Sequence, residues 1–526
     1  MVWPQIYDPL GSQWGSTAVA ALPILVLMGL LLFSHLRPYF SAFIGLLCAS
    51  AIAVGIYRMP VDKVFASIGF GVLYGLLPIG WIVLNVFFLF RILTNAGLIE
   101  ELKTALVTIT GDQRIQLLLV AFCFGAILEG AAGFGTPVAI TASILIGLGF
   151  SPLDASVLSL LANTAPVAYG GLGTPIIALQ GVTGLDLGEL SATVGRLLSP
   201  IGAIIPIWLV WAYAGWKKTR EILPILLVSG ITYSIAQRAI SFFHGPWLVG
   251  VGAGIVSLAA TLLALKFSGL LTKKIINSAR KEGNSAWRLW LPWLVLIVLI
   301  LVWGLPGVKS FLDQTTKELA IPVLDQQVLR MPPIIESPTA EPAVFKFNWL
   351  SATGTAIFLA GVINGLLFGF KPGEILKVFS ASIYEVRFSL LTISGMMSLG
   401  FITRYSGMDG TLGLAFASAG IFYPFFGTLL GWLGVAITGS DTSSNVLFGS
   451  LQTITARKLG LDATIMAAAN SAGGVMGKMI DAQSIVIAST STRWFGHESQ
   501  ILRRVLAHSV VLAVIVGLIV TAHIYW

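Results

Sequence analysis

The chain has 526 residues, of which 56% are hydrophobic and only 10% charged. A soluble chain of this length would form three or four domains of about 150 residues and needs roughly 25% charge to coat them, whereas a mean hydropathy of +0.90 suits a chain solvated by lipid, so a set of soluble domains is excluded. The excess of 31 Lys+Arg over 23 Asp+Glu, a net charge of +8, then reads as basic cytoplasmic loops rather than a nucleic-acid surface, and two cysteines, Cys48 and Cys123, are too few for a disulfide framework or a thiol metal site.

The N-terminal stretch MVWPQIYDPLGSQWGS lacks a basic region before its first apolar run, so that run is expected to remain as a span rather than a cleaved signal. Segments able to cross about 30 Å of hydrocarbon follow at 18–36, 39–57, 68–93, 193–215, 222–243, 246–265, 289–305, 349–370, 380–402 and 506–525. Two more regions, 116–180 and 424–490, are apolar but broken repeatedly by Gly, Pro, Asn, Ser and Asp. With these the expectation is an all-α polytopic membrane protein of about twelve spans.

The basic segments 217–220 and 266–288 are expected in the cytoplasm, and the mixed-charge loop 306–348 outside, although Arg58 and Lys63 then face outwards against the usual bias. The two halves superpose in order: Lys63 on Lys377, Asp154 on Asp462, Asn163 on Asn470 and Arg196 on Arg503. Given the charge bias, they run in opposite senses. The organisation read from this is inverted repeat one over 1–216 (hairpin 116–150, broken helix 154–180), two connecting spans and a basic linker over 217–287, and inverted repeat two over 288–526 (hairpin 424–460, broken helix 462–490). Inverted repeats around discontinuous helices are the plan of secondary transporters, with the site where the broken elements meet.

In repeat one, GAILEGAAGFGTPVAITASILIGLGF (125–150) places two arms of about a dozen residues around a small-residue tip, each too short to span. Thr136-Pro137 opens the second arm, so its helix start faces the tip and can hold an anion. Repeat two answers with Gly439, Ser440, Asp441, Thr442, Ser443, Ser444 and Asn445, whose hydroxyl and amide groups can cap a helix and bind a small polar solute. Behind each hairpin, Asn163-Thr164 and Asn470-Ser471 stand just before Pro166/Gly170-Gly171 and Gly473-Gly474, where helical hydrogen bonding is expected to fail.

The candidate substrate residues are therefore Gly130, Thr136, Asn163, Thr164, Gly171, Thr174, Ser440, Thr442, Ser443, Ser444, Asn445, Asn470, Ser471 and Lys478. Glu129, Asp441 and Asp481 are the candidate proton carriers, because an ionisable group at membrane depth is costly and functional by default. Lys478 can pair with a substrate carboxylate or with Glu129 or Asp441. Arg91, Arg387 and Arg404 read as intraprotein partners or interfacial anchors, and the five histidines lack metal-ligand spacing.

The motifs EGAAGFGTPVA (129–139), GGLGTP (170–175), TGSDTSSNVLFG (438–449) and NSAGGVMGKMI (470–480) resemble the bacterial L-lactate permease family over nearly the whole chain. The resemblance implies a proton-coupled symporter of L-lactate, with D-lactate and glycolate as further substrates, in the bacterial inner membrane. It implies an elevator-like motion, no enzymatic activity and no cofactor beyond the proton gradient. Monocarboxylate, protons and the lipid bilayer are the expected partners, nucleic acid is not, and a homodimer is compatible with it. Asp481-Ala482 departs from the Ser-Pro expected of the family. A sodium-coupled carrier of dicarboxylates is the competing transporter reading; a membrane-embedded enzyme would need a nucleophile and base constellation, and a passive channel would need no duplicated site.

Overall fold

In a computed structural model of the protein, residues 2–33, 36–107, 109–133, 135–269 and 286–526 are described. Most of the basic linker at 266–288 lies outside them. Among the described residues ten helices are long and apolar enough to cross a membrane, or eleven if the bent pair Arg288–Gly304 and Gly307–Asp313 is one span. The chain is thus a multi-pass, all-α membrane protein. A helix stands at each of the ten uninterrupted spans read from the sequence, although the one at 349–370 covers only 15 residues, Thr353–Leu367.

Contacts at the helix ends sort the loops into two faces. On one, Trp3–Pro4 pairs in parallel with Val328–Leu329, Leu329–Arg330 pairs antiparallel with Thr339–Ala340, and Lys317–Ala320 pairs with Val344–Phe347. Lys63 sits on this strand-bearing face and donates to the Val323 carbonyl at 2.6 Å. Its charge therefore ties the 56–60 turn to the 306–348 loop, and so stands outside the loop-charge bias. On the other face, Arg114 binds the Lys218 carbonyl at 2.7 Å and the Glu221 carboxylate at 2.6 Å.

The two hairpins open towards opposite faces. The first begins at Gln113, whose side chain donates to the Leu148 carbonyl at the hairpin's far end, beside the basic 217–221 segment (3.2 Å). The second is preceded by Gly407 and Gly410, packed on Ile6 and Tyr7, and Thr455 near its end donates to the Gly413 carbonyl at 3.1 Å. The inversion read from loop charge is present in the backbone. The first arm departs from expectation: Gln113–Ala131 is 19 residues long and stays helical through a π segment at Leu118–Phe124. The chain reverses at Gly133 and Gly135, which adopt left-handed backbone (φ 62° and 82°). A 12-residue helix, Thr136–Gly147, then returns to the same face.

Two connecting spans, Leu223–Phe243 and Val249–Ser268, do not stand apart from the hairpins. Gly130 meets Gly250 backbone to backbone, and Gly254 lies against Ile127. A side chain at either position would force the helices apart.

Candidate functional site

The first broken helix stops at Asn163, the last residue of Pro152–Asn163. Pro166 cannot continue the ladder, and Gly171, Leu172 and Gly173 then take left-handed angles before the helix resumes towards Thr183. Here the sequence reading holds. In the second half the break falls later. Ala463–Gly477 is continuous through Asn470, Ser471, Gly473 and Gly474, and the chain leaves the helix at Lys478–Ile480 before Ala482–Ser491 resumes. Gly473 and Gly474 serve packing instead: a Cβ on Gly473 would strike the Thr428 carbonyl, and one on Gly474 the Asp441 carboxylate. A glycine pair in lipid is tolerated within a helix when a neighbour needs the room.

Each hairpin packs on the broken helix of the opposite half. At the first tip, Gly135 abuts Ile487, and Ser156 bonds Thr492 at 2.9 Å nearby. In the second hairpin, Asn445 donates to the Pro175 carbonyl at 3.1 Å, across the halves. The four interrupted elements therefore enclose one region.

Within it, the second half is closely knitted. Ser440 caps Asp441–Lys458 by accepting from the Ser443 amide at 3.2 Å. Asp441 is buried, and one carboxylate oxygen accepts from Ser471 at 2.5 Å, while the other has no partner. Asn470 donates to Asn445 at 3.0 Å and to Ser444 at 3.4 Å, and accepts from Gln452 at 3.2 Å. Gln452 in turn accepts from Tyr423 at 2.7 Å. Gln452 and Tyr423 were not among the sequence candidates. Gln452 sits three turns beyond the tip, and only the chain's return path brings it to Asn470.

Lys478 is at the centre of the site. Its ammonium donates to the Gly439 carbonyl at the second tip (2.6 Å) and pairs with Asp481 at 3.2 Å. It also lies within electrostatic reach of both Glu129 and Asp441. Asp481 is fully buried, and its other oxygen caps the next helix through the Ser484 amide at 2.8 Å. An acid in this place holds the break together by pairing the lysine and starting the following helix.

The first half is loose by comparison. Glu129 is buried with one oxygen against Gly170 and the other unpartnered. Asn163 lies beside it, near enough to hydrogen-bond its carboxyl, and its amide has no other partner among the described residues. Thr164 and Thr174 are buried and bond back to their own helices, at 3.4 Å to Leu160 and 3.3 Å to Gly170. Gly130 is used for contact with Gly250, and Gly171 touches Gly133 at the tip. Thr136 and Thr442, at the two helix starts, are both partly exposed.

The arginines stand apart as structural partners. Arg91 pairs with Glu385 at 2.7 Å, Arg387 covers the Tyr384 ring, and Arg404 bridges Glu341, itself paired with Arg330, and the Val182 carbonyl.

A family model described as "L-lactate permease" matches residues 16–526. The chain belongs to the L-lactate permease family. It is 40% identical to an L-lactate permease of Salmonella typhimurium over 100% of this chain and 98% of that one. It is 39% identical to the glycolate permease GlcA of Escherichia coli, with the same coverage. An L-lactate permease of Bacillus subtilis is 39% identical over 99% of this chain and 98% of its own. Among solved structures, MtrF of Neisseria gonorrhoeae aligns over 95% of this permease and 98% of that chain, with 13% identity and a TM-score of 0.47.

Proposed function

We propose that this permease is a proton-coupled symporter of L-lactate in the bacterial inner membrane, with D-lactate and glycolate as further substrates. It moves its substrate without transforming it and uses no cofactor beyond the proton gradient. The observation that carries the reading is the convergence at Lys478: one buried ammonium, bonded to one hairpin tip, lies within reach of a buried acid in each half. A small carboxylate is held by that ammonium and by the positive dipole ends of the helices Thr136–Gly147 and Asp441–Lys458. Two negative charges repel strongly in a low-dielectric site. A proton on the neighbouring acid and lactate in the site therefore favour each other's binding reciprocally, which is symport in thermodynamic form. The curated relatives named for lactate and for glycolate support this substrate class.

In this reading the basic face is cytoplasmic and the strand-bearing face external. The repeats 1–216 and 288–526 supply one hairpin and one broken helix each to a mobile body that slides as an elevator. The connecting spans in 217–287 travel with it, because the Gly130–Gly250 contact leaves no slack. Helices Val61–Asn95, Thr353–Leu367 and Pro372–Ser406, which pack on one another, form the fixed body.

The test is uptake of labelled L-lactate into proteoliposomes with pH and Na⁺ gradients imposed separately. Accumulation driven by an inward proton gradient and indifferent to Na⁺ is expected. Accumulation driven by Na⁺ alone would assign the chain to sodium-coupled carriers instead.

A further inference from the structure

The connecting span Leu223–Phe243 carries a polar stripe that the site does not use. Tyr233, Gln237 and Ser241 are all buried within this apolar helix, and spacing by four residues puts them on one side of it. His244, at the helix end, continues the line. Eleven residues separate Tyr233 from His244, a rise of about 16 Å, roughly half the hydrocarbon thickness. The stripe therefore reaches from mid-membrane to the strand-bearing face.

Ser241 donates to the Arg238 carbonyl at 3.0 Å, but the other groups of the stripe lack hydrogen-bond partners among the described residues. The Tyr233 hydroxyl, both atoms of the Gln237 amide and Nε2 of His244 are buried without a hydrogen bond among the described residues, as is one oxygen of Glu129. Buried polar groups in native proteins are satisfied by protein or by ordered water, and a polar, partnerless row is where water is held. The row is connected at both ends. Tyr233 is within electrostatic reach of Glu129, Tyr169 and Cys123. Tyr169 donates to the Ser191 carbonyl at 2.6 Å, and Gly195 leaves room for the Tyr169 and Ser241 hydroxyls on the facing helix.

We propose that Tyr233, Gln237, Ser241 and His244 form a hydrated route along which protons pass between the strand-bearing face and Glu129. This rests on the proton-coupled reading above and deepens it by naming the residues that supply the proton. The titratable and charged groups that face the route are Glu129, Tyr169 and Cys123 around Tyr233, and Lys478 beyond Glu129; Arg238, on the same helix, is exposed. Water relays a proton between these groups with no net change in any of them, so the step needs no further reactant. At the outer end, burial holds the His244 imidazole below its ordinary value. It is therefore neutral at neutral pH and takes up a proton as the outside acidifies.

The test uses the full chain in proteoliposomes and compares two assays: L-lactate uptake driven by an inward proton gradient, and L-lactate exchange between equally loaded compartments at one pH. Tyr233→Phe and Gln237→Leu are expected to slow driven uptake by at least about tenfold while leaving exchange within about twofold of the parent. Gln237→His, which restores a donor and an acceptor, recovers driven uptake, and His244→Gln flattens its dependence on external pH between about 5 and 7. Loss of both assays together in Tyr233→Phe and Gln237→Leu would make the stripe a packing element and overturn the route. So would driven uptake unchanged in both, provided Glu129→Gln is uncoupled. If Glu129→Gln itself accumulates lactate normally, the coupling assignment fails and takes the route with it.

Discussion

The two halves of this permease share a plan and differ in how their polar groups are spent. In the second half most polar side chains near the break are committed, Ser471 to Asp441, Asn470 to Asn445 and Gln452, Lys478 to Gly439 and Asp481, leaving one oxygen of Asp441 and the Ser484 hydroxyl without a partner among the described residues. In the first, Glu129 and Asn163 lie side by side with no hydrogen-bond partner but each other among the described residues. Duplicated topology has thus produced one half whose polar groups hold the structure and another whose groups stay free for a ligand or a proton. Symmetry of fold does not carry symmetry of role.

The acids give the sharpest way to break that comparison. Glu129→Gln is expected to abolish lactate accumulation under a pH gradient, a loss of at least about a hundredfold in driven uptake, with exchange at equal loading retained. Asp441→Asn is expected to lower thermal stability in detergent and to reduce both activities together, because Ser471 and Asn445 are arranged around the carboxylate. An uncoupled Asp441→Asn alongside a coupled Glu129→Gln would exchange the roles of the halves.

The lysine comes next. Removing it in Lys478→Met strands the buried Asp481 charge, and breaking a buried pair from one side costs about 3–5 kcal/mol. A collapse in melting temperature is expected, partly recovered in the double variant Lys478→Met/Asp481→Asn. Transport is expected to stay lost in the double variant, since the site then has no cation for a carboxylate. Recovered transport would show that the lysine only neutralises Asp481.

The asparagines are a subtler matched pair. Asn470→Ala deprives Asn445 and Gln452 of partners in a buried site, an expected loss of about 1–3 kcal/mol measured by thermal unfolding. Asn163→Ala removes only a neighbour of the Glu129 carboxyl and no knitted network, so a smaller loss of stability is expected, with a rise in the KM for lactate. Equal destabilisation of the two would erase the contrast between a knitted half and a free one.

Much of this was legible in the residues. Gly133 and Gly135 announced the first tip, Ser440 the helix start it caps, and Pro166 with Gly170-Gly171 the first break, because Pro and left-handed Gly act through local backbone geometry. Gly473-Gly474 misled for the complementary reason. A helical glycine pair also suits close packing, and only the position of Thr428 and Asp441 decides between the two uses. The sequence from Gly125 predicts a first arm too short to span, yet the helix runs back through Leu118–Phe124 to Gln113. The Lys478–Asp481 pairing lies outside the sequence reading, which offers Lys478 only Glu129, Asp441 or a substrate; chain geometry at the break supplies Asp481. Gln452 and Tyr423 gave no local signal at all, since their role depends on a contact across the hairpin.

The smallest expected effect belongs to the tip hydroxyls, Thr136 and Thr442. Both are partly exposed at matched helix starts, and neither is needed to close the fold: the chain reverses ahead of Thr136 through Gly133 and Gly135, and the cap beside Thr442 is supplied by Ser440. Either hydroxyl can donate to a carboxylate lying between the tips, and a neutral donor to a charged group contributes about 1.5–3 kcal/mol when dry and less where water competes. Thr136→Ala and Thr442→Ala are therefore each expected to raise the KM for lactate by about three- to tenfold, the factor that about 0.7–1.4 kcal/mol corresponds to. Maximal rate and melting temperature should hardly move. Thr136→Ser and Thr442→Ser, which keep the hydroxyl, should restore the parent KM. If only Thr136→Ala has an effect, the free half binds the substrate alone and the knitted half contributes only its lysine; equal effects place the carboxylate between both tips.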